Sequence, residues 1–151
     1  ESGNHVLIGS VAPECAPHVW LEDERDLDRS FTAQWTTQAM RYAQRAPSLG
    51  IPSRMQGVVD LYDASTDWIP IYDRSSLPGF YMACGSSGNQ YKNAPIAGKL
   101  MAELIEACEG GHDHDSEPLS VRLSYLGRDL NLGFFSRKRP INAESSFSVL
   151  G

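Results

Sequence analysis

A short stretch of small residues, Gly85-Ser86-Ser87-Gly88-Asn89, stands between two segments of different character. The apolar run 80–84 before it has the length of a buried strand, and from about residue 95 apolar residues recur at helical spacing. Small residues adopt positive φ readily, and a loop that enters a helix N-terminus offers N–H groups and a positive dipole end. Such a loop could bind an anion or an electron-rich heterocycle. By periodicity alone, an ordinary strand-to-helix connection is the commoner explanation.

The residues around this loop follow a longer pattern. Ahead of the loop the matching positions are Tyr62, Thr66, Asp67, Pro70 and Ile71. Further along they are Pro78, Gly79, Tyr81, Ala83, Gly85, Ser87, Gly88, Tyr91, Lys92 and Pro95. In this order the residues resemble the C-terminal flavin-binding region of the D-amino-acid oxidase-like FAD-dependent oxidoreductases. Within that family the similarity is to the branch of glycine oxidase, sarcosine oxidase and sarcosine/dimethylglycine dehydrogenase. Asn89 and Gln90 depart from the pattern, since His-Gly is usual there.

The resemblance implies FAD as the cofactor of the full-length protein. It implies that the pyrimidine side of the flavin is contacted by Gly85, Ser86, Ser87, Gly88, Asn89, Gln90 and Lys92. Reduction places negative charge on that side, so the Lys92 ammonium would stabilise reduced flavin. A lysine with no such role would only oppose the dipole at the start of a helix, which favours a functional interpretation. Lys92 and Tyr62, a substrate-side contact, are the candidate catalytic residues.

The resemblance also implies the reaction, which is oxidation of a C–N bond in a small amine or amino-acid substrate with transfer of hydride to the flavin. Monomeric sarcosine oxidases bond their flavin covalently through a cysteine at the position of Asp60, and a carboxylate cannot form that thioether. Asp63 and Asp67 could accept a proton by residue type. The interpretation favoured for Asp67 is structural, as the cap of a turn before Trp68.

Composition excludes several classes of function. Apolar residues make up 41% and charged residues 21% of the 151 residues, which is ordinary for a globular protein. A net charge of −6 argues against a nucleic-acid surface, and the basic run 137–139 is short. No apolar stretch is long enough for a membrane helix. Three cysteines without metal-ligand spacing predict reduced thiols and a cytoplasmic location. The His/Asp run 112–115 is interpreted as part of a polar linker without a metal.

The organisation of the chain is interpreted through the same resemblance. The family carries its Gly-x-Gly-x-x-Gly dinucleotide fingerprint near the N-terminus, and these 151 residues contain none. We therefore expect a C-terminal portion of an enzyme, inactive alone, whose N-terminal FAD-binding portion lies elsewhere. Residues 1–76 would belong to the substrate domain, 77–109 to the FAD domain, and 110–151 to a linker and tail. The alternative is a non-catalytic remnant, or a subunit that completes an FAD site on another chain.

The predicted fold is α+β, with a mixed, largely antiparallel sheet and two main helices near 31–46 and 94–109, as part of a two-domain FAD oxidoreductase. Asp28 or Ser30 is expected to cap the first helix, whose apolar stripe would pack on the sheet. Strands are expected at 3–11, 55–62, 69–72 and 80–84, and strands or extended segments at 119–132 and 133–139. An apolar face left uncovered on the second helix predicts self-association.

Overall fold

A computed structural model describes residues 18–50 and 54–149 of the chain, so the predicted strand at 3–11 lies outside the described residues. The chain divides into two compact units, Glu1–Leu61 and Tyr62–Gly151. Each unit contributes one long helix, and the strands of the described residues all lie in the second unit. This content confirms the predicted α+β class with two main helices.

The first unit is built around helix α1, Ala33–Arg45. The Thr32 hydroxyl caps it by accepting from the Trp35 N–H at 3.1 Å, so the predicted caps at Asp28 and Ser30 were wrong. The Phe31 and Trp35 rings stack with their centroids 4.2 Å apart. The two rings lie against Gly57 and not against a sheet. A Cβ on Gly57 would come within 2.9 Å of the Trp35 ring.

The predicted strand at 55–62 was wrong, because these residues have no regular secondary structure. An apolar run becomes a strand only when a neighbouring segment pairs with its backbone groups, and no described segment pairs with this run. Two 3₁₀ turns, Glu24–Asp26 and Pro47–Leu49, complete the described part of this unit. The second turn begins at the proline that follows α1.

The second unit begins with an antiparallel pair, strand β1 at Ile71–Arg74 and strand β2 at Tyr81–Cys84. Ile71 pairs with Cys84, and Arg74 pairs with Tyr81. A second antiparallel pair joins β3, Ser120–Leu123, to β4, Arg128–Asn131. The described strands thus form two separate two-stranded sheets. Residues 133–139 are not a strand, because a 3₁₀ helix at Leu132–Phe135 starts where the Asn131 side chain accepts from the Gly133 N–H.

Helix α2, Ala94–Glu109, supplies the centre of the core of this unit. Leu100 and Leu104 are almost fully buried and pack with Tyr72, Val121 and Leu132. Burying each leucine stabilises the fold by about 2–3 kcal/mol. The segment after α2 therefore covers part of the helix, although the sequence predicted a linker and tail there. A 3₁₀ turn at Tyr91–Asn93 connects the glycine-rich loop to α2.

Candidate functional site

The candidate site is the glycine turn, which we define as residues Gly85, Ser86, Ser87, Gly88, Asn89 and Gln90, directly after β2. Gly85, Ser87 and Gly88 have φ values of 67°, 50° and 75°. The left-handed region disfavours any residue with a Cβ. Gly85 is also closely approached, since a Cβ there would lie 3.1 Å from the Ser65 Cβ. The turn therefore needs glycine at this position for both conformation and space.

Asp63 holds the first half of the glycine turn. Its carboxylate accepts hydrogen bonds from the Gly85 N–H and, at 2.6 Å, from the Ser86 hydroxyl. Its backbone carbonyl accepts from the Ser87 N–H at 2.7 Å. Burial acts to raise the pKa of Asp63, but the hydrogen bonds from Ser86 and Gly85 outweigh it, and the pKa lies below its usual range. The carboxylate is therefore ionised at neutral pH and organises the turn.

Gly88 forms the exposed tip of the turn and lies beside Tyr62. A Cβ on Gly88 would come within 3.3 Å of the Tyr62 ring and 3.2 Å of a Val149 methyl. The Tyr62 ring packs edge-on against Trp68, with centroids 6.1 Å apart, and remains about half exposed. The structure thus brings together two predicted site residues, Tyr62 and Gly88, that lie far apart in the sequence.

Asn89 and Gln90, where the family usually has His-Gly, tie the turn to the core. The Gln90 side-chain oxygen accepts from the Tyr72 hydroxyl and from the Asn93 side-chain amide, both at 3.0 Å. The Gln90 side-chain amide in turn donates to the Asn89 side-chain oxygen. Because Tyr72 lies in β1 and in the core, these polar side chains anchor the second half of the turn.

Lys92 lies in the 3₁₀ turn Tyr91–Asn93, with its side chain exposed to solvent. Within residues 18–50 and 54–149 it makes no salt bridge and no side-chain hydrogen bond. Asn93 follows at the start of α2 and makes no side-chain capping bond. In the described part of the chain the Lys92 ammonium thus contacts no partner that would give it a structural role, and its functional assignment stays a prediction.

Asp67 has the structural role that the sequence indicated, together with a partner that it did not. Its carboxylate accepts from the Ile69 N–H at 3.2 Å and from the Ser65 hydroxyl at 3.1 Å, within the turn before β1. Arg139 donates two further hydrogen bonds to it, at 2.6 and 3.1 Å. The Arg139 hydrogen bonds hold the pKa of Asp67 well below its usual range. Asp67 is buried, so it is not exposed as a proton acceptor.

A second group of polar residues, the Asp73 cluster, consists of Asp73, His114, Asp115, Ser136 and Arg137. Asp73 is fully buried and accepts from the Ser136 hydroxyl at 2.9 Å and from Arg137 at 2.7 and 3.1 Å. Arg137 also forms a two-pronged ion pair with Asp115, with both distances 2.8 Å. Sequence reasoning missed this cluster, because its members are up to 64 positions apart and follow no motif.

His114 completes the Asp73 cluster and has an unusual environment. It is buried, and its Nδ1 accepts from the Leu119 N–H at 3.0 Å, so Nε2 carries the proton. Nε2 has no hydrogen-bond partner in the described part of the chain and lies 3.7 Å from the Asp73 carboxylate. Burial lowers the pKa of His114, although Asp73 acts in the opposite direction. The predicted linker at 110–118 is thus a folded segment with a buried histidine.

Two features are absent from residues 18–50 and 54–149. No group of three or more His, Cys, Asp or Glu side chains there could hold a metal ion. No helix there is both long and apolar enough to cross a membrane.

The comparisons with known proteins give the class of the chain. Residues 1–104 match the family model DAO, described as FAD dependent oxidoreductase. The match covers more than half of the chain and includes the whole glycine turn together with Asp63 and Lys92. The chain belongs to this family of FAD-dependent oxidoreductases. Neither the curated proteins nor the solved structures contain a match to the chain.

Proposed function

We propose that the chain forms the flavin-contacting edge of an enzyme that oxidises the C–N bond of an amino acid or a secondary amine. The enzyme would belong to the branch of glycine oxidase, sarcosine oxidase and dimethylglycine dehydrogenase. The family membership supports flavin chemistry. The observation that carries the proposal is the glycine turn, whose exposed Gly88 tip lies beside the half-exposed Tyr62 ring.

The glycine turn fits the edge of a flavin. The Tyr62 ring and a Val149 methyl occupy the space that a Gly88 side chain would take, and Gly88 is exposed, so a planar ring system could approach the open side of its backbone. The Gly85 and Ser87 amides donate to Asp63, and the Asn89 amide donates to the Ser86 carbonyl at 3.1 Å. Among the hydrogen bonds of the described residues, this leaves the Gly88 and Gln90 amides of the turn to contact the cofactor. Lys92 follows the turn with a solvent-exposed ammonium group. These residues would hold the pyrimidine side of FAD.

When bound, FAD supplies the hydride acceptor, and each residue of this chain has a simpler task. The Lys92 ammonium offers positive charge to the side of the site where negative charge develops during reduction. The Tyr62 ring and hydroxyl offer an amphipathic surface that orients the amine substrate and excludes water. Asn89 and Gln90 keep the turn rigid through Tyr72, so the donors do not reorganise during the reaction.

The remainder of the cofactor site would come from polypeptide outside these 151 residues. The chain holds no Gly-x-Gly-x-x-Gly turn for the pyrophosphate. We propose that the pyrophosphate is bound by an N-terminal portion of the same protein. The competing role is that of a subunit or remnant that lacks catalysis, and it predicts flavin binding without substrate oxidation.

The first experiment is to purify the protein from its complete reading frame and to record its visible absorption spectrum with excess FAD. The flavin band should co-elute with the protein. Glycine, an N-methylated amino acid and a D-amino acid are then mixed with it anaerobically, and at least one should bleach the band. A protein that retains no flavin contradicts the proposal, and a flavin band that none of these substrates bleaches favours the non-catalytic role.

Lys92 is tested by Lys92→Met with Lys99→Met as the matched control. Lys99 is a half-exposed lysine on α2 that pairs only with Glu103 at 2.9 Å among the described residues. Lys92→Met should slow substrate-dependent flavin reduction about tenfold and make the flavin midpoint potential more negative, because a charge that favours reduced flavin is lost. Lys99→Met should leave both unchanged. Equal rates in the two variants would remove Lys92 from the site.

A further inference from the structure

Asp63 contacts the glycine turn through both its carboxylate and its backbone carbonyl. One carboxylate oxygen accepts from the Gly85 N–H and the other accepts from the Ser86 hydroxyl at 2.6 Å. Its own carbonyl accepts from the Ser87 N–H at 2.7 Å. Three consecutive residues of the glycine turn are therefore held by one residue that lies more than twenty positions earlier in the chain.

The glycine turn needs such a partner because its conformation is costly. Ser87 is a non-glycine residue with a φ of 50°, which L-residues adopt only when the surroundings impose it. Ser87 is also buried, so its backbone N–H could not be left without an acceptor. The Ser87 N–H keeps the backbone carbonyl of residue 63 whatever side chain stands there. Without the Asp63 carboxylate, the Gly85 amide and the Ser86 hydroxyl would lose their acceptors, and the turn could relax to other conformations.

The contacts of Asp63 also select which atoms of the turn remain for a ligand. Gly85 and Ser87 are buried with their amides turned toward Asp63, whereas Gly88 is exposed beside Tyr62. Tyr62 precedes Asp63 directly, so the same backbone segment places both the ring and the carboxylate. We propose that Asp63 is the positioning residue of the flavin edge, because it fixes the turn that presents Gly88; this rests on the function proposed above.

The test compares Asp63→Ala, Asp63→Asn and Asp129→Asn in the complete protein. Asp129 is the control, since it is an exposed carboxylate in β4 whose partner is Arg122 at 3.1 Å. Each variant is titrated with FAD, and the visible circular dichroism of the bound flavin is recorded at saturation, well below the unfolding temperature. The dichroism reports how the flavin is held, which a change in global stability alone would not alter.

Asp63→Ala should weaken FAD binding about tenfold, because two hydrogen bonds to the turn are lost, and should change the dichroism of the bound flavin. Asp63→Asn keeps an acceptor for the Gly85 N–H, so it should restore most of the affinity and the dichroism. Asp129→Asn should match the parent protein. If Asp63→Ala does not fold, Ser86→Ala carries the test, with an expected loss of about threefold from one lost hydrogen bond.

Two patterns of result would overturn the inference. If Asp63→Ala and Ser86→Ala bind FAD as the parent does and show the same dichroism, Asp63 does not position the cofactor, while the proposed function stands. If Asp63→Asn loses as much affinity for FAD as Asp63→Ala, Asp63 does not act by supplying a hydrogen-bond acceptor to the Gly85 N–H. A parent protein that takes up no FAD would instead refute the proposed function, and the positioning role would fail with it.

Discussion

The glycine turn and the Asp73 cluster each centre on one aspartate, and the two aspartates are used in different ways. Asp63 is exposed and accepts from the backbone and a hydroxyl of a turn. Asp73 is fully buried and accepts from Ser136 and Arg137, with His114 nearby. One aspartate shapes a surface where a ligand could lie, and the other joins distant segments inside the fold.

The difference between the two aspartates is one of burial and of partners. Around Asp63 the structure leaves an exposed glycine tip and a half-exposed tyrosine ring. Around Asp73 the ionic groups have little access to water, so each is strongly dependent on its partner. Substitutions in the Asp73 cluster should therefore act on stability, and substitutions in the glycine turn should act on cofactor binding as well as on stability.

The largest expected effect comes from Arg137→Met, which leaves the buried Asp73 carboxylate without its cation. Removing one partner of a buried ion pair costs about 3–5 kcal/mol of unfolding free energy. Arg122→Met is the control, because Arg122 pairs with Asp129 at 3.1 Å on the surface, where such a pair contributes about 1 kcal/mol or less. Urea denaturation measures both. Equal losses would show that burial does not distinguish the two ion pairs.

A smaller effect is expected from glycine substitutions that compare the turn with α2. Gly85→Ala should reduce the unfolding free energy by about 1–2 kcal/mol, since φ is positive and the new Cβ would crowd Ser65. Gly98→Ala, in α2 with no atom near the new Cβ, should increase it by about 0.5–1 kcal/mol. Thermal unfolding checks the opposite signs. A gain from Gly85→Ala would mean that the turn does not need its left-handed conformation.

The smallest effect is the pH dependence contributed by His114. Burial lowers its pKa in the folded state, so the unfolded chain binds the proton more readily. This contribution is complete above the unfolded pKa of about 6.5 and is lost as the pH falls below it, by at most about 1.4 kcal/mol per pH unit. Asp73, Asp115, Arg137 and His112 also act on the ring, with opposing signs.

His114→Asn isolates that contribution, because the Asn side-chain oxygen can still accept from the Leu119 N–H but does not titrate. The variant should lose less unfolding free energy than the parent between pH 7 and pH 5 in urea titrations. The lowered pKa values of Asp67 and Asp115 affect stability only at more acidic pH, outside that window. Identical pH profiles would show that His114 does not take up a proton on unfolding.

Local patterns predicted much of the secondary structure. The two helices and the pair β1 and β2 lie within a few residues of their predicted positions, because apolar periodicity, prolines and glycines are local signals. The strand predicted at 55–62 was wrong, because a strand forms only when another segment pairs with it. A local pattern does not show which segments pair. In the segment 110–118, the polar composition gave no sign that His114 is buried.

For the candidate site, the sequence pointed to the glycine turn, to Tyr62 and to Lys92, and it indicated the structural role of Asp67. It did not indicate that Asp63 holds the turn or that Gln90 bonds to Tyr72. By residue type alone, Asp63 is only a possible proton acceptor. One feature of the sequence does fit its role in holding the turn. Asp63 directly follows Tyr62, and its carboxylate is an acceptor of the kind that the N–H groups of a glycine-rich turn need. The cation for Asp67 could not be found, since Arg139 lies 72 positions away.

The sequence by itself determined the family, the α+β class, the two helices and the place where a flavin would be sought, because each depends on residue types at short fixed spacings. Only the tertiary structure decided which carboxylates organise a turn and which are buried in ion pairs. Asp63, Asp67 and Asp73 lie within eleven residues of one another and are chemically identical side chains. Their roles differ because long-range packing chose their burial and their partners, and burial and partners set the energetics of a charge.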